Sequence, residues 1–196
     1  MKTKNKKNKK KNTLWGGRFK AGLDKDVLRF SSSINVDYKL AEFDLTYSLA
    51  HVTMLAKCKI ISASQAKVIK QGLKGLLKLV KAGKYKTNPD SEDIHTDIQN
   101  KLRVKIGPAA DKLNTARSRN DQVSLSTRMY SKDKLMNISK SLTGLQQVLI
   151  KLAQANDRVV MPGFTHLQHA QPVLWSHYLL AFVEMFQRDK ERLADA

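Results

Sequence analysis

From Asp121 to Val160 the chain reads DQVSLSTRMYSKDKLMNISKSLTGLQQVLIKLAQANDRVV. Val123, Tyr130, Ile138, Leu142, Leu145, Leu149, Leu152 and Val159 fall near one broad face, the spacing of an amphipathic helix. Only Gly144 interrupts the pattern, and no proline does. At 1.5 Å per residue such a helix spans roughly 60 Å. A compact domain of this size cannot cover so long an apolar stripe. The stripe therefore calls for partner helices, from later sequence or from another subunit.

The flanks extend the helical reading. Toward the N-terminus, Leu40, Phe43, Tyr47, Ala50 and Met54 recur at three- and four-residue spacing. Ala66, Ile69, Leu73, Leu76, Leu77 and Val80 do the same behind a capping box from Ser62 to Gln65, and Gly83 suits the helix end. Ile94, Ile98, Leu102 and Ile106 step by four until Gly107-Pro108 stops the run. Toward the C-terminus, the breaker Met161-Pro162-Gly163 is followed by a polar connection and an apolar, helix-patterned run from Val173 to Leu193. No segment alternates with period two between hairpin turns. The predicted fold class is all-α. Residues 1–12 form a lysine-rich tail, 13–116 a small helical domain, and 117–196 the first long helices of a bundle.

Composition narrows the function classes. A hydrophobic fraction of 41% permits a true core, and the single cysteine, Cys58, excludes a disulfide within the chain. No apolar run approaches membrane-spanning length, and the first twelve residues lack the apolar segment of a secretory signal. The formal net charge of +19 invites a nucleic-acid reading. Seven of those charges are lysines of residues 1–12, and the rest of the excess reads as scattered lysine without an arginine-rich or aromatic-interleaved groove. The tail is expected to be a solvated arm that attracts polyanions weakly and without specificity. A specific nucleic-acid partner and a membrane partner are not expected.

Two stretches carry chemistry. Gly163-Phe164-Thr165-His166-Leu167-Gln168-His169-Ala170-Gln171-Pro172 is dense in hydrogen-bonding groups. Such a cluster, held between rigid elements, suits a site that grips something polar or anionic. Asn114-Thr115-Ala116-Arg117-Ser118-Arg119-Asn120-Asp121-Gln122 is similarly crowded. Its arginines are planar forks suited to carboxylates or phosphates. Ser118 or Asn120 can also cap the following helix, with Asp121 near its positive end, so a plain capped helix with solvated arginines is the competing reading. His166-x-x-His169 resembles metal-ligand spacing, but no cysteine or placed carboxylate completes a set, and no metal is expected. Gln168 and Gln171 are expected to fix the connection through hydrogen bonds to backbone, and His177 and Trp175 to lie on the next helix as packing or surface residues.

Ser-Arg-Asn-Asp-Gln at 118–122 and Thr-His-Leu-Gln-His-Ala-Gln-Pro at 165–172 resemble the argininosuccinate lyase family of the fumarase/aspartase superfamily. Leu14-Trp15-Gly16-Gly17-Arg18-Phe19 resembles the opening of such chains, and Glu92-Asp93-Ile94-His95-Thr96 their acidic-histidine motif. All four stand in the family's order.

The resemblance implies β-elimination of argininosuccinate to arginine and fumarate, without cofactor or metal, in a cytoplasmic homotetramer. It implies a catalytic role for His166 and Thr165, with His95 in support. Substrate binding would fall to Ser33, Ser118, Arg119, Asn120, Thr165 and Gln168. A structural histidine is the alternative for His166, and a helix-start histidine for His95. Asn114 departs from the family, which commonly has histidine there. The family's mobile serine loop, which carries the general base, does not occur in these 196 residues. The chain thus looks like an N-terminal fragment carrying two of the three regions that build each active site, and is expected to be inactive alone. A non-catalytic helical module that only associates with other helices is the alternative.

Overall fold

The computed structural model describes residues 24–196. The lysine-rich tail and the Gly-Gly-Arg-Phe motif lie outside the described residues. The helices are α1 (Lys25–Ser31), α2 (Ile34–Asp37), α3 (Ala41–Lys57), α4 (Ala63–Lys81), α5 (Ile94–Ile106), α6 (Arg119–Ala155) and α7 (Trp175–Asp195), with 3₁₀ turns at Tyr38–Leu40 and Gly107–Asn114. Two short strands, β1 (Val160–Thr165) and β2 (Gln168–Leu174), stand between α6 and α7. The all-α expectation holds, with this one antiparallel pair as its exception. The chain divides into two compact units between Tyr130 and Ser131.

The first unit is built on α3, α4 and α5. The apolar periodicity of α4 and α5 converges on one core through Ile69, Leu73, Ile94, Ile98 and Leu102. α3 enters it through Leu45, Val52 and Leu55 rather than through the expected Leu40–Met54 stripe, whose Ala50 and Met54 are exposed. Local signals set the helix ends. The Ser62 hydroxyl accepts from the Gln65 amide while the Gln65 side chain accepts from the Ser62 amide, the reciprocal box expected from the sequence. The Asp93 carboxylate caps α5 through the Thr96 amide at 2.6 Å. α4 lies close on α5 because Gly72 has no side chain. A Cβ there would come within 2.5 Å of Leu102 Cδ1.

The second unit holds the rest of α6, the strand pair and α7. α6 has 37 residues and ends at Ala155, short of the expected Val160. Val159 donates to the Asn156 carbonyl in a turn, and its own carbonyl accepts from Trp175 at 2.9 Å. The stretch expected to be a polar connection is a β-hairpin. Val160 pairs with Leu174, Met161 with Val173, Pro162 with Pro172, Phe164 with His169, and Thr165 with Gln168. Between Pro162 and Phe164 the register shifts, with Ala170 and Gln171 opposing Gly163 alone, which makes a bulge in β2. Glycine is required opposite it, since a Cβ at 163 would lie 2.9 Å from the Gln171 carbonyl oxygen.

Candidate functional site

In the first unit the candidate residues gather around the start of α5. The Ser33 amide donates to the Glu92 carbonyl at 2.8 Å, and the Ser32 hydroxyl to the Ser91 and Glu92 carbonyls at 3.1 Å each. The Ser33 hydroxyl donates to Asp37 Oδ2 at 2.6 Å, while Asp37 Oδ1 accepts from the Ile94 amide at 3.1 Å. Ser33 and Asp37 thus dock the α1–α2 corner onto the Glu92–His95 motif.

Arg119 reaches the same place from the start of α6. Its Nε lies 3.5 Å from Asp93 Oδ2, Nη2 donates to Thr96 Oγ1 at 3.2 Å and Nη1 to Gln122 Oε1 at 2.8 Å. Ser118 caps α6. Its hydroxyl accepts from the Asn120 amide and its own amide donates to Asp121 Oδ2, both at 3.1 Å. That capping role is one of the two readings the sequence left open. Asn120 is exposed, and its side chain makes no hydrogen bond among the described residues.

Behind these residues lies a buried polar network centred on Asp44. His95, only 2% exposed, places Nδ1 3.3 Å from Asp44 Oδ2. The two attract, although both atoms lack a hydrogen bond of full geometry. Asp44 Oδ1 accepts from Gln122 Nε2 at 2.9 Å and, at 3.5 Å, from the Ser48 hydroxyl. Burial raises the Asp44 carboxyl pKa. The facing His95, the Gln122 amide and the Arg117 charge together outweigh burial and hold it below the ordinary carboxylate range. Tyr47, buried beside that carboxylate, has its hydroxyl pKa pushed well up, first by burial and then by the Asp44 charge.

Arg117 closes the network. Its guanidinium donates to Ser48 Oγ at 3.1 Å and to Asn114 Oδ1 at 2.6 Å, and stacks 5.1 Å from the Tyr47 ring centroid. Asn114, the departure from the family pattern, also donates to Gln99 Oε1 at 3.5 Å. His51 Nε2 meets the Thr115 carbonyl at 3.0 Å. Burial lowers the His51 pKa; the bond to that carbonyl opposes this and the Arg117 charge adds to it.

Asp44, Ser48, Gln122 and Asp37 were not among the sequence-derived candidates, and Arg117, read from the sequence as a fork for an anion, here ties Ser48 to Asn114. One signal was available for Asp44: it is an acid one residue along from Phe43 on an otherwise apolar face.

In the second unit the candidates stand at the hairpin tip. His166 and Leu167 form its two-residue turn with φ of 50° and 61°. Both lie in the left-handed region that a two-residue hairpin turn demands and that asparagine and glycine ordinarily fill. Each non-glycine residue held there is strained by about 1–2 kcal/mol. Thr165 and Gln168 flank the turn as a cross-strand pair. The side chains of Thr165, His166 and Gln168 are exposed and make no hydrogen bond among the described residues. Neither Gln168 nor Gln171 bonds the backbone as expected, because the strand ladder already satisfies it. His169 packs on Phe164 across the ladder, centroids 4.8 Å apart, and His177 is exposed on α7.

The hairpin tip and the charge-lined start of α5 each offer donors of the kind that grip carboxylates and move protons. A family model described as lyase matches residues 17–196, and the chain belongs to that family. It is 51% identical over 179 residues to the argininosuccinate lyase of Streptococcus thermophilus, covering 91% of this chain and 39% of that one. It is 51% identical over 183 residues to the argininosuccinate lyase of Streptococcus mutans, covering 93% and 40%. The chain therefore spans about two fifths of the length of these relatives. Among solved structures, EDDS lyase in complex with formate aligns with a TM-score of 0.69 at 24% identity, over 86% of this chain and 32% of that one. A fumarate lyase from a Mesorhizobium species aligns with a TM-score of 0.64 at 21% identity, over 87% and 39%. These two likenesses concern the fold. No helix among the described residues is long and apolar enough to cross a membrane.

Proposed function

We propose that this chain carries the N-terminal part of an argininosuccinate lyase, which cleaves argininosuccinate to arginine and fumarate by β-elimination in the cytoplasm. The observation that carries the reading is the hairpin tip. It holds an imidazole, His166, exposed, without a hydrogen-bond partner among the described residues, and in a strained backbone conformation. Strain of this kind persists where surrounding structure imposes it, and it clusters at active sites. The half-identical lyase relatives support the same reading.

In this reading a base takes a proton from the carbon beside a carboxylate, and the guanidino nitrogen leaves from the neighbouring carbon. The charge that builds on that carboxylate needs fixed donors. Ser33, Ser118, Arg119, Asn120, Thr165 and Gln168 bind the substrate, and His166 moves a proton. His95, buried against Asp44, acts as a support and does not touch substrate. The working assembly is a homotetramer.

The test uses the full-length enzyme. His166→Asn should lower turnover by about 10²–10⁴-fold, the usual loss of a positioned acid or base. His169→Asn and His177→Asn should leave it nearly unchanged, since one packs on Phe164 and the other is exposed on α7. Equal losses at all three positions, with circular dichroism confirming folding, would overturn the assignment.

A second reading, a module that only associates with other helices, is favoured by one observation. α6 and α7 expose Val148, Leu152, Tyr178 and Met185, at 60%, 38%, 47% and 47% of their surface. Apolar patches on this scale drive association. Sedimentation velocity of the 196-residue chain should show self-association that grows with concentration. A monomer at every concentration would remove the support for this reading.

A further inference from the structure

Between Lys57 and Lys86 the sequence holds nine lysines and no acidic residue. They supply nine of the twelve net positive charges that remain outside residues 1–12. Along the sequence they look scattered; α4 gathers them. Lys67, Lys70, Lys74, Lys78 and Lys81 follow at spacings of three, four, four and three, which places them on one face, about 21 Å long at the helical rise. The opposite face, with Ile69, Leu73 and Leu76, is buried in the core, so the helix cannot turn its charges inward or insert into a bilayer. Only Lys81 has an ion-pair partner, Glu42 at 3.4 Å; among the described residues Lys67, Lys70, Lys74 and Lys78 have none. A further cation arrives from α5, where the Lys105 ammonium lies so close to Gly75 that a Cβ there would be 2.8 Å from it. Like charges at these spacings repel and weaken a helix, and a bound anion would relieve that repulsion.

The surroundings narrow the occupant. Along the first half of the stripe runs a groove of about 470 Å³, lined by Ala56, Ala63 and Ala66 beside Lys67, Lys70 and Lys74. It has room for a thin chain and is far too small for a nucleic-acid duplex. No aromatic ring or arginine lines it, so it lacks the stacking platform on which single-stranded nucleic acid is bound. What remains is an extended anion whose charge lies on the chain itself. We propose that the lysine face of α4 binds linear inorganic polyphosphate.

End-labelled long-chain polyphosphate, titrated with the 196-residue protein and followed by fluorescence anisotropy, tests this. Four unpaired lysines, each releasing about 0.7 of a counterion, should weaken binding about fifty-fold between 50 and 200 mM salt. Replacing Lys67, Lys70, Lys74 and Lys78 together by glutamine should weaken it at least about tenfold. Replacing the same four by arginine should retain it, which separates loss of charge from loss of fold. Changing Lys2, Lys4, Lys6 and Lys7 to glutamine should have a smaller effect than changing the α4 set. Tripolyphosphate, too short to span the stripe, should compete poorly. The proposal is overturned if the tail variant loses as much as the α4 variant, if tripolyphosphate competes as well as the long chain, or if single-stranded RNA or polyglutamate of equal charge binds as tightly.

Discussion

In the first unit Asp44, Ser48, His95, Gln99 and Gln122 are buried and connected to one another or to backbone. In the second, Thr165, His166 and Gln168 stand exposed at a hairpin tip, and apolar side chains of α6 and α7 are exposed as well. The first unit answers most of its own demands: α3, α4 and α5 find apolar partners in one another, and most buried polar groups find a donor or acceptor within the unit. The second leaves both kinds of demand open. Apolar faces without cover and polar groups without partners mark surfaces shaped for something outside the unit, whether substrate or other helices.

The sharpest way to break this contrast is to remove the centre of the first unit's polar network. Asp44→Ala would leave His95 and Gln122 without their carboxylate and Arg117 without its counter-charge, and should destabilise the first unit by about 3–5 kcal/mol, the usual result of leaving a buried charge uncompensated. Urea denaturation monitored by circular dichroism would measure it. A loss below about 1 kcal/mol would show that the network is not what holds the unit. The same group sets an acid limit. Its folded pKa lies below the ordinary value, so the ionised form stabilises the fold above the unfolded pKa of about 3.9, and that contribution is lost as pH falls through the folded pKa. The wild-type chain should lose stability in acid more steeply than Asp44→Ala does.

A smaller effect is expected where α4 meets α5. In Gly72→Ala the new methyl group must push on Leu102, which is fully buried. The overpacking penalty of about 1–3 kcal/mol is offset by the gain of about 1 kcal/mol from replacing a helical glycine. A net loss of about 1 kcal/mol in chemical denaturation is the expected outcome, and a net gain would mean that the contact is slack.

A change of similar size should come from the other unit and carry the opposite sign. Leu167 is 98% exposed and strained at positive φ, so Leu167→Gly should stabilise the hairpin by about 1 kcal/mol. Amide exchange across the Thr165–Gln168 pair would report it. Faster exchange in the variant would show that the leucine side chain has a role that exposure hides.

The same contrast explains what the sequence could reveal. α3, α4 and α5 were legible because their information is local: apolar steps of three and four, the Ser62–Gln65 box, and the Gly107-Pro108 stop. The hairpin was not, because it breaks the usual signals. Its turn is His-Leu rather than Asn-Gly, and prolines face each other at 162 and 172, where they are tolerated only because a two-stranded ladder is all edge. Loss of the helical pattern at Pro162 was visible; what replaced it was not. The candidate residues Ser33, His95 and Arg119 were found through motifs. The network behind them was hidden by distance along the chain, with 78 positions between Asp44 and Gln122 and 69 between Ser48 and Arg117.

Asn114 joins Arg117 to Gln99 through its side-chain amide. An imidazole at that position would gain and lose a proton within the physiological range and would repel the guanidinium whenever it was charged. The amide has one charge state, and arginine keeps its proton at any pH a cell reaches. The corner where the chain turns into α6 is therefore fastened by groups that do not register acidity. Any response to mild acid there falls to His51, one bond away on the Thr115 carbonyl.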